Sequence, residues 1–516
     1  SPLIEKKTFQ YISKYGNVTH YEHFAQGNND RLVADIHYYR DESRYIVGTP
    51  DSIAVKDVQG HLLQARACDI DVPTGHVSTI RNHNSSTGQS DNAAQYDFLY
   101  DNCGNIVTCV GPTDANGQRM TLEYVYDDLF HCLPVTVANS LGDKSQATYD
   151  SRWGTPTTIT DINGNVMSYE YDEMGRVSKI RGPLDPQYSI RPHYWFTEGN
   201  FATLDCVAKT EHYDCQHPDN PMVVSTRCDA LGRVVQTKKE MEIDGVEMLQ
   251  ISGHVTYDAI GRPDSVYYPV TEALDLSDPY QWSTYYPNID SQPPTVYAYD
   301  VLDRKVSVTL PDGATTRMSY GIENLNGQYV FRTLTTDANN VHNLTYTDYR
   351  GLTLRSVADS PDIAATTNFV YNTLGELVSV ADPCDAITTY TYDMLGRCVS
   401  RNHPDAGTDN YVFDLAGNLT QEQKADGQSI SYSYQFGRLT DVAFSANPEN
   451  DIHYRYGSLG DGVNGAGHVV KMEDESGYAR YSYDAMGNVS ENCRTFALAA
   501  EDNAYTFIIN TEYDTW

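Results

Sequence analysis

The sequence predicts an all-β chain: many consecutive β-hairpins joined into one long antiparallel sheet. Three observations carry that expectation. A six-residue phrase, Tyr-Asp-x-x-Gly-Arg, recurs along the chain. The residues just before it alternate between apolar and polar with period two, the signature of a strand with one buried face. Tyrosine dominates the aromatic residues, with 41 Tyr against 13 Phe and 4 Trp in 516 residues. Tyr favours strands, covers a large area and keeps a polar tip, so this usage points to broad, half-wet sheets rather than one dry centre.

The clear copies of the phrase begin at Tyr100-Asp101 with Gly104. They continue with Tyr171, Asp172, Gly175 and Arg176; Tyr257, Asp258, Gly261 and Arg262; Tyr392, Asp393, Gly396 and Arg397; and Tyr483, Asp484 and Gly487. Variants keep the frame with one residue changed, as in Cys228-Asp229, Tyr299-Asp300, Tyr371-Asn372 and Phe413-Asp414. The local period is 21, from position 372 to 393, 414 and 435. A fixed short period marks a repeat architecture. The expected organisation is a leading β region with degenerate repeats over residues 1–95, then a hairpin array over 96–516. Longer insertions fall at about 181–228 and 263–295.

One unit can be justified residue by residue. In Ser429-Ile430-Ser431-Tyr432-Ser433-Tyr434, Ile430, Tyr432 and Tyr434 share one face and the serines the other. Met167 to Tyr171 and Thr388 to Tyr392 behave alike. The Asp after the last Tyr can cap the coming turn with its carboxylate. The Gly three residues later suits a positive φ. Arg or Asn then re-enters a strand, and a second turn follows at the far end, often carrying Asp-Gly or Pro. A lone hairpin is barely stable, so neighbours must pair into a continuous sheet. Glu240 to Gln250 is the nearest approach to an amphipathic helix, and Gly245 interrupts it.

Composition narrows the functional classes. Lys and Arg total 36 against 70 Asp and Glu, a formal charge of −34. That balance argues against a nucleic-acid partner, because no basic stripe exists to release counterions. No apolar run is long enough for a membrane-spanning helix. Forty percent apolar content is too high for a disordered acidic tail. The opening Ser1 to Lys7 does not read as a signal peptide, so either secretion uses none or the chain begins inside a longer protein. The ten cysteines show no Cys-x-x-Cys spacing, and scattered free thiols are expected.

The Tyr-Asp-x-x-Gly-Arg units resemble the YD repeats of the Rhs family, of the B and C components of bacterial toxin complexes, and of teneurins. Tyr15 to Thr19 and Thr49 to Val55 resemble the segment that opens the repeat region in B-component-like proteins. The resemblance implies a β-strip spiralling into a hollow shell. In the bacterial families that shell encloses the toxic C-terminal part of the same polypeptide or of its partner; in teneurins it is a cell-surface scaffold. It further implies a secreted or cell-surface location, and as partners the chain's own C-terminal cargo, shell segments beyond residue 516 and other toxin-complex components. The bacterial shells commonly end in an Asp-Pro-x-Gly-Leu protease signature. Asp185-Pro186, Asp278-Pro279 and Asp382-Pro383 do not continue that way. The expectation is therefore a non-enzymatic fragment without cofactor or metal, with a teneurin-like adhesion or glycan-binding scaffold as the alternative.

Other patterns have a plain structural reading beside a functional one. Gly460-Asp-Gly462-Val-Asn-Gly465 matches a dinucleotide-binding pattern, but a strand-like segment follows it where a helix is required. Asp114 to Gly117 and Asp161 to Asn165 are similar to calcium loops, but in the second Gly stands fourth rather than sixth. Turn chemistry is the expectation, a weak surface calcium site the alternative. Cys206, His212, Cys215 and His217 are spaced too irregularly for zinc. The ladders Tyr390/Tyr392 and Tyr432/Tyr434 could stack on sugars if exposed; core-face packing is expected. Asp and Arg of successive turns could pair across hairpins, for example Asp393 with Arg438.

Overall fold

A computed structural model describes residues 5–12, 14–24, 31–84, 92–185, 187–196, 206–213, 221–278, 280–360, 363–497 and 504–513. Among them run 41 strands and one short 3-10 turn, Pro448–Asn450. They form two antiparallel sheets of 20 and 21 strands. The first holds the strands from Lys6–Tyr11 to Val246–Ser252, together with Val270–Ala273; the second runs from Val255–Tyr257 to Ala504–Asn510. Nearly every strand pairs with its neighbours in sequence, so the chain is a strip of hairpins.

Side-chain alternation gives the strip two faces. In Ile387–Tyr392, Thr388, Tyr390 and Tyr392 are half-buried, while Ile387, Thr389 and Thr391 are exposed. Tyr432 and Tyr434 are likewise half-buried, and Ser431 and Ser433 exposed. These ladders therefore pack on one face of the strip without entering a dry centre.

The stretch between the sheets is different. Glu240 to Gln250 is a hairpin of Val234–Ile243 and Val246–Ser252, turned at Asp244 and Gly245, which both have positive φ. Farther on, Val270–Ala273 folds back onto the edge strand Val246–Ser252. A small core forms there around Leu249, Ile251 and Ile289, with Val270, Leu274, Trp282 and Tyr286 against it. Lys238 is buried beside it, bonded to Glu272 and the Gln281 carbonyl. Ile190–Phe196, Cys206–His212 and Met222–Cys228 stay in register within the first sheet.

The chain is thin for its size. Its accessible surface is 29258 Å², against roughly 19,000 Å² for a compact monomer of this mass. Contacts across sequence separations of 295, 299, 303 and 318 residues show how it is arranged. The strip winds back so that the second sheet lies beside the first, end to end.

Candidate functional site

The repeated turn is built around one carboxylate. In Asp393 to Arg397, the Asp393 N–H donates to the Arg397 carbonyl and the Gly396 N–H to the Asp393 carbonyl, each at 3.0 Å. The Asp393 Oδ1 accepts the N–H groups of Leu395 and Arg397 at 3.0 Å, and Oδ2 accepts Arg397 Nε at 2.7 Å. This is a type I turn closed by a left-handed glycine, with Gly396 at φ +79°. Gly175, Gly261 and Gly487 also have positive φ. Around Asp172 the bonds repeat with Met174, Arg176 and Gly175, and around Asp258 with Ile260, Arg262 and Gly261. Asp484 accepts from Met486 and Asn488 instead of an Arg. The Arg262 backbone N–H and guanidinium hold Asp258 below the usual carboxylate range.

At Tyr171, Tyr392 and Tyr483 the tyrosine before the Asp ties the turn to the preceding strand. Pairing shifts by one residue at Tyr171, Tyr257, Tyr392 and Tyr483, a bulge that re-aims the ring. The Tyr392 hydroxyl then donates to the Leu377 carbonyl at 2.8 Å, Tyr171 to Pro156 at 2.8 Å and Tyr483 to Val469 at 2.6 Å. Leu377 opens the strand after the previous turn of this kind, and Val469 the strand after the loop 457–468. Phenylalanine could not make this bond. That accounts for the Tyr preference at this position, and burial pushes the Tyr392 and Tyr483 phenols up.

The arginine links forward. Arg176 lies over Tyr194 at 4.4 Å, Arg233 over Tyr257 at 3.9 Å, Arg262 over Tyr299 at 4.7 Å and Arg397 over Phe413 at 4.9 Å. Arg262 and Arg397 also donate to the backbone carbonyls of Asp300 and Asp414 in the next such turn. Successive turns are thus coupled through rings and carbonyls. The Asp393–Arg438 pairing that the sequence allows does not form: Asp393 pairs with Arg397 at 2.6 Å, because its own turn delivers that guanidinium.

Far-end turns meet these Tyr-Asp turns where the windings touch. Asn116 donates to the Tyr434 carbonyl at 2.9 Å, and the Ala115 N–H to Asp414 at 3.2 Å. Asn163 exchanges two bonds with the Ala466 backbone, at 3.2 and 2.8 Å. Arg438 reaches Asp143 at 2.6 Å. Met394 and Leu395 line a 340 Å³ groove with Ile53, Val55 and Ala65 of the first sheet. Sequence reasoning missed this seam. The only local signal is Gln435, which stands where the repeat has Asp and so leaves Arg438 without its usual partner.

Asp161 and Asp114 accept N–H groups inside their own turns, in the manner of Asp393. Gly460 to Gly465 forms a loop between the strands Ile452–Tyr456 and Val469–Asp474. His212 lies in Cys206–His212, and burial pushes its imidazole pKa down; Cys215 and His217 lie outside the described residues. Among the described residues no three His, Cys, Asp or Glu side chains converge as metal ligands, and no helix is long and apolar enough to cross a membrane.

Comparison with known proteins agrees with this geometry. The family model described as Teneurin YD-shell matches residues 136–492. No protein of curated function matches the chain by sequence. Among solved structures, a TcdB2-TccC3 crystal structure is similar with TM-score 0.75 and 14% identity, over 98% of this chain and 35% of that one. A TcdB2-TccC3 structure without its hypervariable C-terminal region gives TM-score 0.77 and 13% identity over 97% and 36%. A Photorhabdus luminescens Tc holotoxin pore gives TM-score 0.78 and 13% identity over 99% and 36%. The chain therefore spans little more than a third of those chains, and at these identities the likeness shows the fold. The fold, the repeated turn and a family match over most of its length together place the chain in the YD-shell family.

Proposed function

We propose that this chain is part of the wall of a shell that encloses a toxic polypeptide cargo. One observation carries the reading: a strip with far more surface than a compact globule, closed on itself by turn-to-turn contacts about one winding apart. Such a strip can separate two compartments while burying little of itself. The likeness to TcdB2-TccC3 and to a Tc holotoxin supplies the class of assembly. In this reading residues 1–95 and 96–516 are successive parts of one wall, and the Tyr-Asp turns are structural. The segment has no catalytic role of its own. Its partners are further shell segments, other toxin-complex components and a C-terminal cargo, in a secreted or cell-surface setting.

Small-angle X-ray scattering on the chain in dilute solution tests the architecture. A compact chain of this length would have a radius of gyration of roughly 24 Å. A clearly larger value with a bounded pair-distance distribution is expected. A value at the compact estimate would remove the wall reading.

A further inference from the structure

At Tyr100, Tyr126 and Tyr392 the hydroxyl tie runs from the residue that ends one strand to the residue that opens the strand before it. Tyr100 ends Ala93–Tyr100 and bonds the carbonyl of Val77, first in Val77–His83, at 2.8 Å. Tyr126 ends Arg119–Tyr126 and bonds Ile106, first in Ile106–Thr113, at 2.9 Å. Tyr392 and Leu377 stand in the same relation. The tie closes each strand pair at the end where the Asp turn leaves it.

In the turn Asp229 to Arg233 a cysteine stands where that tyrosine would. The turn itself is complete. Asp229 Oδ1 accepts the N–H groups of Leu231 and Arg233 at 2.9 and 3.0 Å, Oδ2 accepts Arg233 Nε at 2.7 Å, and Gly232 has φ +75°. Cys228 ends Met222–Cys228, and pairing with the next strand shifts by one residue there, as it does at Tyr392. The residue that opens the strand before it is Cys206, first in Cys206–His212. The two cysteines are direct register partners. Among the described strand pairings no other cysteine stands opposite a cysteine: Cys68 faces Ile80, Cys109 faces Phe98 and Leu122, Cys398 faces Tyr392, and Cys493 faces Arg480 and Ile508.

We infer that Cys206 and Cys228 form a reversible cross-strand disulfide that takes the place of the tyrosine tie in this turn. Directly opposed residues of an antiparallel pair project to the same face and lie about 4.5–5.5 Å apart at Cα. A disulfide spans roughly 4.4–6.8 Å between Cα atoms, so the backbone register meets its requirement without moving. The oxidant is a low-molecular-weight disulfide such as oxidised glutathione. One cysteine thiolate attacks a sulfur of that disulfide and releases one small thiolate; the second cysteine thiolate then displaces the other. Two protein thiols thereby lose two electrons and two protons, and two molecules of small thiol leave. The bond closes residues 207–227 into a loop, which restricts the unfolded chain more than the folded one. It forms in an oxidising compartment and opens in a reducing one, so the pairing of Cys206–His212 with Met222–Cys228 becomes sensitive to redox poise where the other ties are not. The inference does not depend on the shell reading.

The experiment incubates the folded whole chain with oxidised glutathione, blocks remaining thiols with iodoacetamide without reduction, and maps the peptides by mass spectrometry. A linked pair of peptides carrying Cys206 and Cys228, lighter than their sum by two hydrogens, is expected. The urea midpoint of this bridged protein is expected to lie above that of the same protein held in dithiothreitol. Cys228→Ser, which keeps every other thiol, should abolish both the linked peptides and the difference in midpoint; Cys206→Ser is the second variant and should do the same. Alkylated or glutathione-capped cysteines at both positions, or a bridge from either one to a different cysteine, overturns the proposal. A bridge that leaves the midpoint unmoved, or a redox difference that persists in both serine variants, overturns its role as a tie.

Discussion

Arg438 bonds Asp143 across 295 residues of chain, at 2.6 Å. The contact exists because the turn Gln435 to Arg438 is shorter than its relatives and lacks their Asp; Phe436 and Gly437 make it with positive φ. Released from its usual role, the arginine still covers the next ring, Tyr456, at 5.4 Å while pairing with the neighbouring winding. Asp143 is in turn oriented by Asn139 at 3.0 Å. The side chains are 21% and 12% exposed, between surface and buried pairs. A double-mutant cycle with Arg438→Met and Asp143→Asn should give a coupling of about 1–2 kcal/mol. A coupling indistinguishable from zero would mean that this ion pair does not hold the windings together.

The Tyr hydroxyls predict a matched pair of changes. Tyr392→Phe removes the bond to the Leu377 carbonyl and should cost about 1 kcal/mol. Phe413 occupies the same place one unit on, already bulged and already under Arg397. Phe413→Tyr should therefore gain up to about 1 kcal/mol by reaching Cys398, which opens the strand after the preceding turn. Denaturation midpoints of both variants measure this. Stabilisation by Tyr392→Phe would show that the hydroxyl is incidental.

Glycine in the turn predicts a graded cost. Gly396 has φ +79°, and a Cβ there would stand 3.2 Å from Glu376 Oε1. Gly417 has φ +97° but open space around it. Gly396→Val should cost about 2–3 kcal/mol and Gly417→Ala about 1 kcal/mol, since the second meets only backbone strain. A thermal melt unchanged by Gly396→Val would undermine the turn geometry at this position.

The turn was legible in the sequence because all its determinants are local. Asp393, Gly396 and Arg397 lie within five residues, and the alternation through Tyr432 and Tyr434 needs only a period-two pattern. The seam was not legible. Asn163 and Asp143 look like ordinary turn residues, and their partners lie about 300 residues away. Nothing local distinguishes an Asn that faces water from one that faces another winding. The Arg438 partner was missed for the same reason, although Gln435 marks where the rule breaks. Around Leu249 and Ile289 the chain leaves its repeat, so the pattern carries no information about the fold back onto Val246–Ser252.

Glu211 predicts a limb of acid sensitivity. It is 8% exposed, beside Lys209 at 2.9 Å and the Arg191 guanidinium. Burial alone would push its carboxyl up, but hydrogen bonds from Lys209 and Arg191 outweigh that and lower it from 4.5 to about 2. The folded state therefore holds this proton less tightly than the unfolded chain. The resulting stabilisation is complete above about pH 4.5 and disappears as pH falls through about 2. It amounts to roughly 3 kcal/mol at most. Glu211→Gln should lower stability at neutral pH and flatten its fall between those two values. Urea midpoints at several acid pH values measure the slope, and a variant that declines as steeply as the wild type would show that the acid limb belongs to other carboxylates.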